Sequence, residues 1–183
     1  LDLESGHGHH RKVVTMGKDS KFGVALEHLD ALTGHLERHG IRVRGLHAHT
    51  GSGVVDVAVW RDQLERLLDL QSRFGDVEII DLGGGFGVPE RPRQPGLDLG
   101  ELDRQLLESL GDSPVRLWLE PGRFLVAESG VLLSRVTQLK DKGGHHYVGI
   151  ATGMNSLIRP ALYGAYHEIV NLERLDEPPA RPC

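Results

Sequence analysis

The chain has 183 residues, 39% of them hydrophobic and 26% charged, and a formal net charge of −5 with histidine neutral. That length suits one sizeable core or a domain and a half, short of the roughly 250 residues of a complete eight-stranded β/α barrel. The acidic balance gives no basic footprint for nucleic acid, and no apolar run approaches the roughly 20 residues needed to span a membrane.

In chain order, the opening is polar and starts at Leu1 without a methionine; Gly-His-Gly-His-His at 6–10 reads equally as a metal or tag remnant and as a solvated loop. Residues 24–39 place Leu26, Leu29, Leu32 and Leu36 on one helical face. A strand is expected over 41–49, then a helix over 57–74 capped by Asp56, with Trp60, Leu64 and Leu67 on its apolar side. Residues 77–81 form a second strand, 88–97 a loop with three prolines, 98–110 an amphipathic helix and 115–120 a third strand. After about residue 128 the alternation stops, and 131–139 and 146–150 read as a hairpin turning at 142–144. Cys183, the lone cysteine, excludes an internal disulfide framework and suits a reducing compartment; with no initiating methionine and a Pro-rich end, the chain reads as a piece of a longer cytoplasmic protein.

Three motifs fall at the ends of the three strands: His-Ala-His-Thr-Gly-Ser-Gly at 47–53, Asp-Leu-Gly-Gly-Gly-Phe-Gly at 81–87, and Glu-Pro-Gly-Arg at 120–123. The intervals, 34 residues from His49 to Gly83 and 37 from Gly83 to Glu120, fit one strand plus one helix each. That is the rhythm of a parallel barrel, whose sites are built from loops at the C-terminal strand ends. The fold class is therefore α/β: part of a barrel over residues 1–128, then the start of a β-rich domain over 129–183.

Each motif has a functional and a plain reading. Gly83, Gly84 and Gly85 expose backbone amides to an anion, or simply make a tight rim turn. Glu120 beside Arg123 offers a carboxylate to a ring nitrogen and a guanidinium to a phosphate, or forms an ordinary ion pair. His49 can lie against a flat cofactor with Ser52 on its phosphate, or be structural. His47 and His49 share one side of their strand, but no third ligand at zinc spacing accompanies them, so no metal is expected. Further on, Arg159-Pro160-Ala161-Leu162-Tyr163 sets an Arg near a Tyr, a pair suited to a carboxylate.

Taken together with Ser-Lys-Phe-Gly at 20–23, Gly-Met-Asn at 153–155 and Arg-Pro-Ala-Leu-Tyr-Gly-Ala-Tyr-His at 159–167, these motifs resemble the fold-type III pyridoxal-phosphate-dependent decarboxylases over nearly the whole chain. The resemblance implies the C-terminal part of a (β/α)8 barrel of the alanine-racemase type and pyridoxal 5'-phosphate as cofactor. It implies an amino-acid substrate and a homodimer with shared sites, near whose contacts Lys21 falls. The element at 159–163 points within the family to diaminopimelate, decarboxylated to lysine; ornithine, D-lysine or carboxynorspermidine, or a non-catalytic cofactor-binding barrel, are the alternatives. By the same resemblance His49 stacks on the pyridoxal ring and Glu120 partners its nitrogen. Ser52, Gly83, Gly84, Gly85 and Gly122 hold phosphate, Arg123 touches phosphate or substrate carboxylate, and Arg159 and Tyr163 hold the substrate's far end. No catalytic residue is assigned within the chain: none of Lys12, Lys18, Lys21, Lys140 or Lys142 sits in the family's Schiff-base context, and Cys183 is not followed by its acidic-cysteine motif.

Overall fold

Two-residue alternation in three short strands decides the layering of the first half of the molecule. In the computed structural model, which describes residues 1–8, 14–17 and 20–177, Leu46, Ala48, Ile80 and Leu82 are buried while His47 and Trp118 of the neighbouring positions are exposed. His9, His10, Lys12, Lys18 and Cys183 lie outside the described residues. One face of the sheet is thus packed and the other carries the polar strand ends, as side chains of successive strand residues must.

The elements are β1 (His7–Gly8), α1 (Leu29–Arg38) after a 3₁₀ turn at Leu26–His28, β2 (Gly45–His47), β3 (Gly51–Ser52), α2 (Val57–Gln71), β4 (Ile79–Asp81), α3 (Leu99–Leu110), β5 (Arg116–Trp118), α4 (Arg123–Val126), β6 (Val136–Lys142), β7 (His145–Ile150) and α5 (Arg159–Tyr163). β2, β4 and β5 form a three-stranded parallel sheet in that order, pairing His47 with Asp81 and Asp81 with Trp118. β1 and β3 make a parallel two-stranded ladder, and β6 pairs antiparallel with β7. The fold is α/β with parallel sheets; among the described residues the strands form separate sheets, not a closed ring.

Helices α2 and α3 begin where their caps dictate. The Asp56 carboxylate accepts from the Ala58 N–H at 3.0 Å, and that of Asp98 from the Glu101 N–H at 2.9 Å, satisfying donors that have no partner inside a helix. The apolar stripe of α2, Trp60, Leu64 and Leu67, is fully buried. It joins Leu102 and Leu106 of α3 and the strand residues Leu46 and Ile80 in one core. Each such side chain contributes about 1.5–3 kcal/mol by leaving water.

The strands are shorter than the residue pattern suggests. The run 41–49 pairs only at Gly45–His47, and the chain re-enters a ladder at Gly51. At the C-terminal strand ends Gln63, reaching up from α2 inside the core, donates to the carbonyls of Ala48 at 2.7 Å and Leu82 at 3.0 Å. Those strand-end carbonyls bond a side chain, and the backbone is released to turn. The run 131–139 likewise pairs only from Val136, and Val131, Leu132 and Leu133 are exposed.

By internal contacts the chain divides into two compact units. Unit 1 is Leu1–Pro89 with Pro95–Glu128; unit 2 is Glu90–Gln94 with Ser129–Cys183. Unit 1 holds the core just described.

Candidate functional site

The exposed face of the β2–β4–β5 sheet ends in a rim where the three motifs meet. The strands deliver them in register: the Leu82 N–H donates to the Trp118 carbonyl at 3.0 Å and the Glu120 N–H to the Gly83 carbonyl at 2.8 Å. A cavity lies there, lined by His49, Ser52, Gly84, Gly85, Phe86, Glu120, Gly122, Arg123 and Phe124. Of the cofactor residues expected from the motifs, Gly83 alone does not line it.

Backbone crowding explains the glycines. A Cβ on Gly84 would sit 2.3 Å from the Glu120 carbonyl oxygen, and one on Gly85, whose φ is +95°, would sit 2.0 Å from the Gly51 carbonyl oxygen. The triplet is therefore what lets three strand ends approach one another. Its amides, however, are not all bare, as the sequence suggested. The Gly83 N–H donates to Asp81 Oδ1 at 2.9 Å and the Gly84 N–H to His49 Nδ1 at 3.1 Å. Two of the three are spent inside the chain, because Asp81 and His49 stand within reach of the turn. The other cavity-lining groups at this rim are Gly85, Ser52, the Gly122 turn and Arg123.

The bond from Gly84 also fixes His49. Nδ1 accepts, so the ring proton of the neutral imidazole sits on Nε2. Burial pushes the His49 pKa below its ordinary 6.5, and His47 lowers it further, against the opposing pull of Glu120 and Asp81. A half-buried neutral ring with one nitrogen tied to backbone presents a flat face.

Glu120 projects from the end of the third strand, half-exposed, with Oε2 3.7 Å from His47 Nε2. Asp81 joins them: ligand atoms of His47, Asp81 and Glu120 all lie within 4.8 Å of one another. Sequence spacing paired His47 with His49 and found no further partner. The fold instead sets His47 beside two carboxylates from other strands, a grouping that only strand register creates. The cavity thus brings together a carboxylate from Glu120, a guanidinium from Arg123 and an imidazole from His49, groups that suit a planar ligand with a basic ring nitrogen and an anionic tail.

Sequence reasoning missed Phe86 and Phe124, which follow the glycine triplet and Arg123 directly. Their ring centroids are 5.9 Å apart, and Phe86 stacks on the buried Trp60 at 4.5 Å, so the cavity wall is continuous with the core. Both stand inside or beside motifs already singled out, which was the available signal. Gln63 had none, since a polar residue on a helix reads as solvent-facing.

Arg159 and Tyr163 belong to unit 2. They open and close α5, four residues apart and so on one helical face. Arg159 Nη2 donates to Glu90 Oε1 at 2.7 Å, and Nη1 lies 3.2 Å from His167 Nε2. Lys21 is exposed, its Nζ 5.5 Å from the centre of the Phe22 ring, and His7 is exposed in β1. Among the described residues, no helix is long and apolar enough to cross a membrane.

The family described as "Pyridoxal-dependent decarboxylase, pyridoxal binding domain" matches residues 1–127. The chain is 40% identical over 176 residues to a diaminopimelate decarboxylase of Streptomyces coelicolor, covering 92% of this chain and 40% of that protein. It is 39% identical over 172 residues to the enzyme of that name from Escherichia coli K12, covering 90% and 40% respectively. The crystal structure of diaminopimelate decarboxylase from Helicobacter pylori complexed with L-lysine is similar with a TM-score of 0.77 at 29% identity, over 87% of this chain and 41% of that one. The chain therefore spans about 40% of the length of the curated relatives it matches.

Proposed function

The chain belongs to the pyridoxal-dependent decarboxylases, and from that premise we propose that it forms the ring-nitrogen and phosphate side of the cofactor pocket in an enzyme converting meso-2,6-diaminopimelate to L-lysine and carbon dioxide. The observation that carries this reading is the convergence of His49, Glu120 and Arg123 on one cavity at the glycine turn. Support for the substrate comes from relatives named diaminopimelate decarboxylase along nine-tenths of the chain, and from a neighbour whose structure holds L-lysine.

Pyridoxal 5'-phosphate, when bound, supplies an electron-withdrawing ring that takes up the charge left at Cα as the carboxylate departs. The chain's own residues hold and orient it. The Glu120 carboxylate would accept a hydrogen bond from a protonated ring nitrogen and hold that proton there. The neutral His49 imidazole, anchored through Nδ1 to Gly84, would lie against the ring. Ser52, Gly85, Gly122 and Arg123 bind the phosphate, while Gly83 and Gly84 shape the turn and bond inward. Phe86 and Phe124 exclude water from the phosphate end. Arg159 and Tyr163 take the carboxylate at the substrate's far end.

The same reading places residues 1–128 in the C-terminal part of a (β/α)8 barrel and 129–183 at the start of a β-rich domain, in a cytoplasmic homodimer with shared sites. The full-length protein supplied with pyridoxal phosphate should release carbon dioxide from meso-diaminopimelate. Glu120→Ala should cost about a thousandfold in turnover with the cofactor still bound. A cofactor-loaded protein inert toward diaminopimelate overturns the substrate, and near-normal turnover of Glu120→Ala overturns the role of that carboxylate.

A further inference from the structure

In unit 2 the guanidinium assigned above to the substrate's far carboxylate is already held by a second residue. Arg159 opens α5, a helix of five residues. Glu90 accepts from its Nη2 at 2.7 Å, and His167 Nε2 lies 3.2 Å from its Nη1. The two charged side chains are 26% and 21% exposed, so water screens the pair only partly. The residue after Glu90 is tied to the same region, with the Arg91 guanidinium 4.6 Å over the ring of Tyr166.

We propose that Glu90 is a positioning residue: it fixes the Arg159 guanidinium so that its remaining N–H groups meet an incoming carboxylate in one orientation. This rests on the reading of Arg159 as the far-carboxylate contact. An unrestrained arginine carries about 2 kcal/mol of rotamer entropy, and ordering it on binding subtracts from affinity. Five N–H donors leave three for a ligand after Glu90 and His167 take one each. The negative charge of Glu90 works in the other direction, since it partly cancels the attraction of Arg159 for a second anion. The sign of the effect on removal therefore separates positioning from competition.

In the full-length, cofactor-loaded enzyme, kcat and KM for meso-diaminopimelate are measured for Glu90→Ala and Glu90→Gln, each also in an Arg159→Ala background. Positioning predicts a KM raised roughly tenfold by Glu90→Ala, the value of about one charge-assisted hydrogen bond, with kcat within about twofold. Glu90→Gln, which keeps an acceptor without charge, falls between wild type and Glu90→Ala. Once Arg159 is gone, removing Glu90 changes KM no further. A KM unchanged or lowered by Glu90→Ala overturns the proposal, as does an equal loss in both backgrounds. If Arg159→Ala alone leaves KM unaltered, the assignment of Arg159 fails and the proposal falls with it; if Arg159→Ala raises KM and Glu90→Ala does not, only the proposal fails.

Discussion

The β2–β4–β5 sheet and the β6–β7 hairpin are both made of short strands, yet they treat their apolar residues in opposite ways. In the sheet, Leu46 and Ile80 are buried beneath α2 and α3, and the face left open presents His47 and Asp81 beside the exposed Trp118 and carries the motifs. In the hairpin every residue of β6 is exposed, and Leu139 and Val148, which pair across the strands, are 75% and 43% exposed. Ala165 is the one hydrophobic residue of unit 2 buried among the described residues. A strand acquires a buried face only when another element covers it; helices cover the sheet of unit 1. The rim of unit 1 thus has a rigid base from which a site can be built.

The comparison breaks most visibly at Trp60. Trp60→Ala should lower unfolding free energy by about 3–5 kcal/mol, read by denaturant titration of the full-length protein; a loss below about 1 kcal/mol would mean that α2 does not anchor the rim. Gln63→Leu keeps volume but leaves the Ala48 and Leu82 carbonyls without their buried donor. It should cost about 1–3 kcal/mol and weaken cofactor binding by displacing both strand ends. Leu139→Ala tests the other region and should change stability by no more than about 0.5 kcal/mol. A loss of Trp60 size there would show that the hairpin face is covered in the whole protein. The finest test is pH. The depressed pKa of His49 means the fold favours its neutral form, so stability present above 6.5 is lost as pH falls through the lower folded-state value. Between about pH 7 and pH 5 the wild type should lose stability more steeply than His49→Asn, which retains an acceptor for the Gly84 N–H.

Much of unit 1 was legible because its signals are local. Asp56 and Asp98 announce their helices through caps, and the motifs mark strand ends. The C-terminal ends of two strands were not legible, because a side chain from another element, Gln63, takes up the carbonyls of Ala48 and Leu82 there. The same holds at the site. Glycines 84 and 85 read as an anion cradle or as a tight turn, and the close approach of the Glu120 and Gly51 carbonyls makes the turn obligatory. That Gly84 donates inward to His49, and that His47 meets Asp81 and Glu120, follows from register between strands more than thirty residues apart, whereas the Gly83 bond to Asp81 is local to the turn. The hairpin turn at 143–144 was legible for the opposite reason, since two glycines at φ +60° and +79° form it without outside help.

The proposed function turns on a proton shared between Glu120 and the cofactor's ring nitrogen. The most direct measurement is the ¹⁵N chemical shift of pyridoxal phosphate labelled at that nitrogen and bound to the full-length protein, compared between wild type and Glu120→Gln. The arrangement at the rim predicts a protonated pyridinium shift in the wild type that moves toward the neutral pyridine value in the variant. The same shift in both proteins would contradict it.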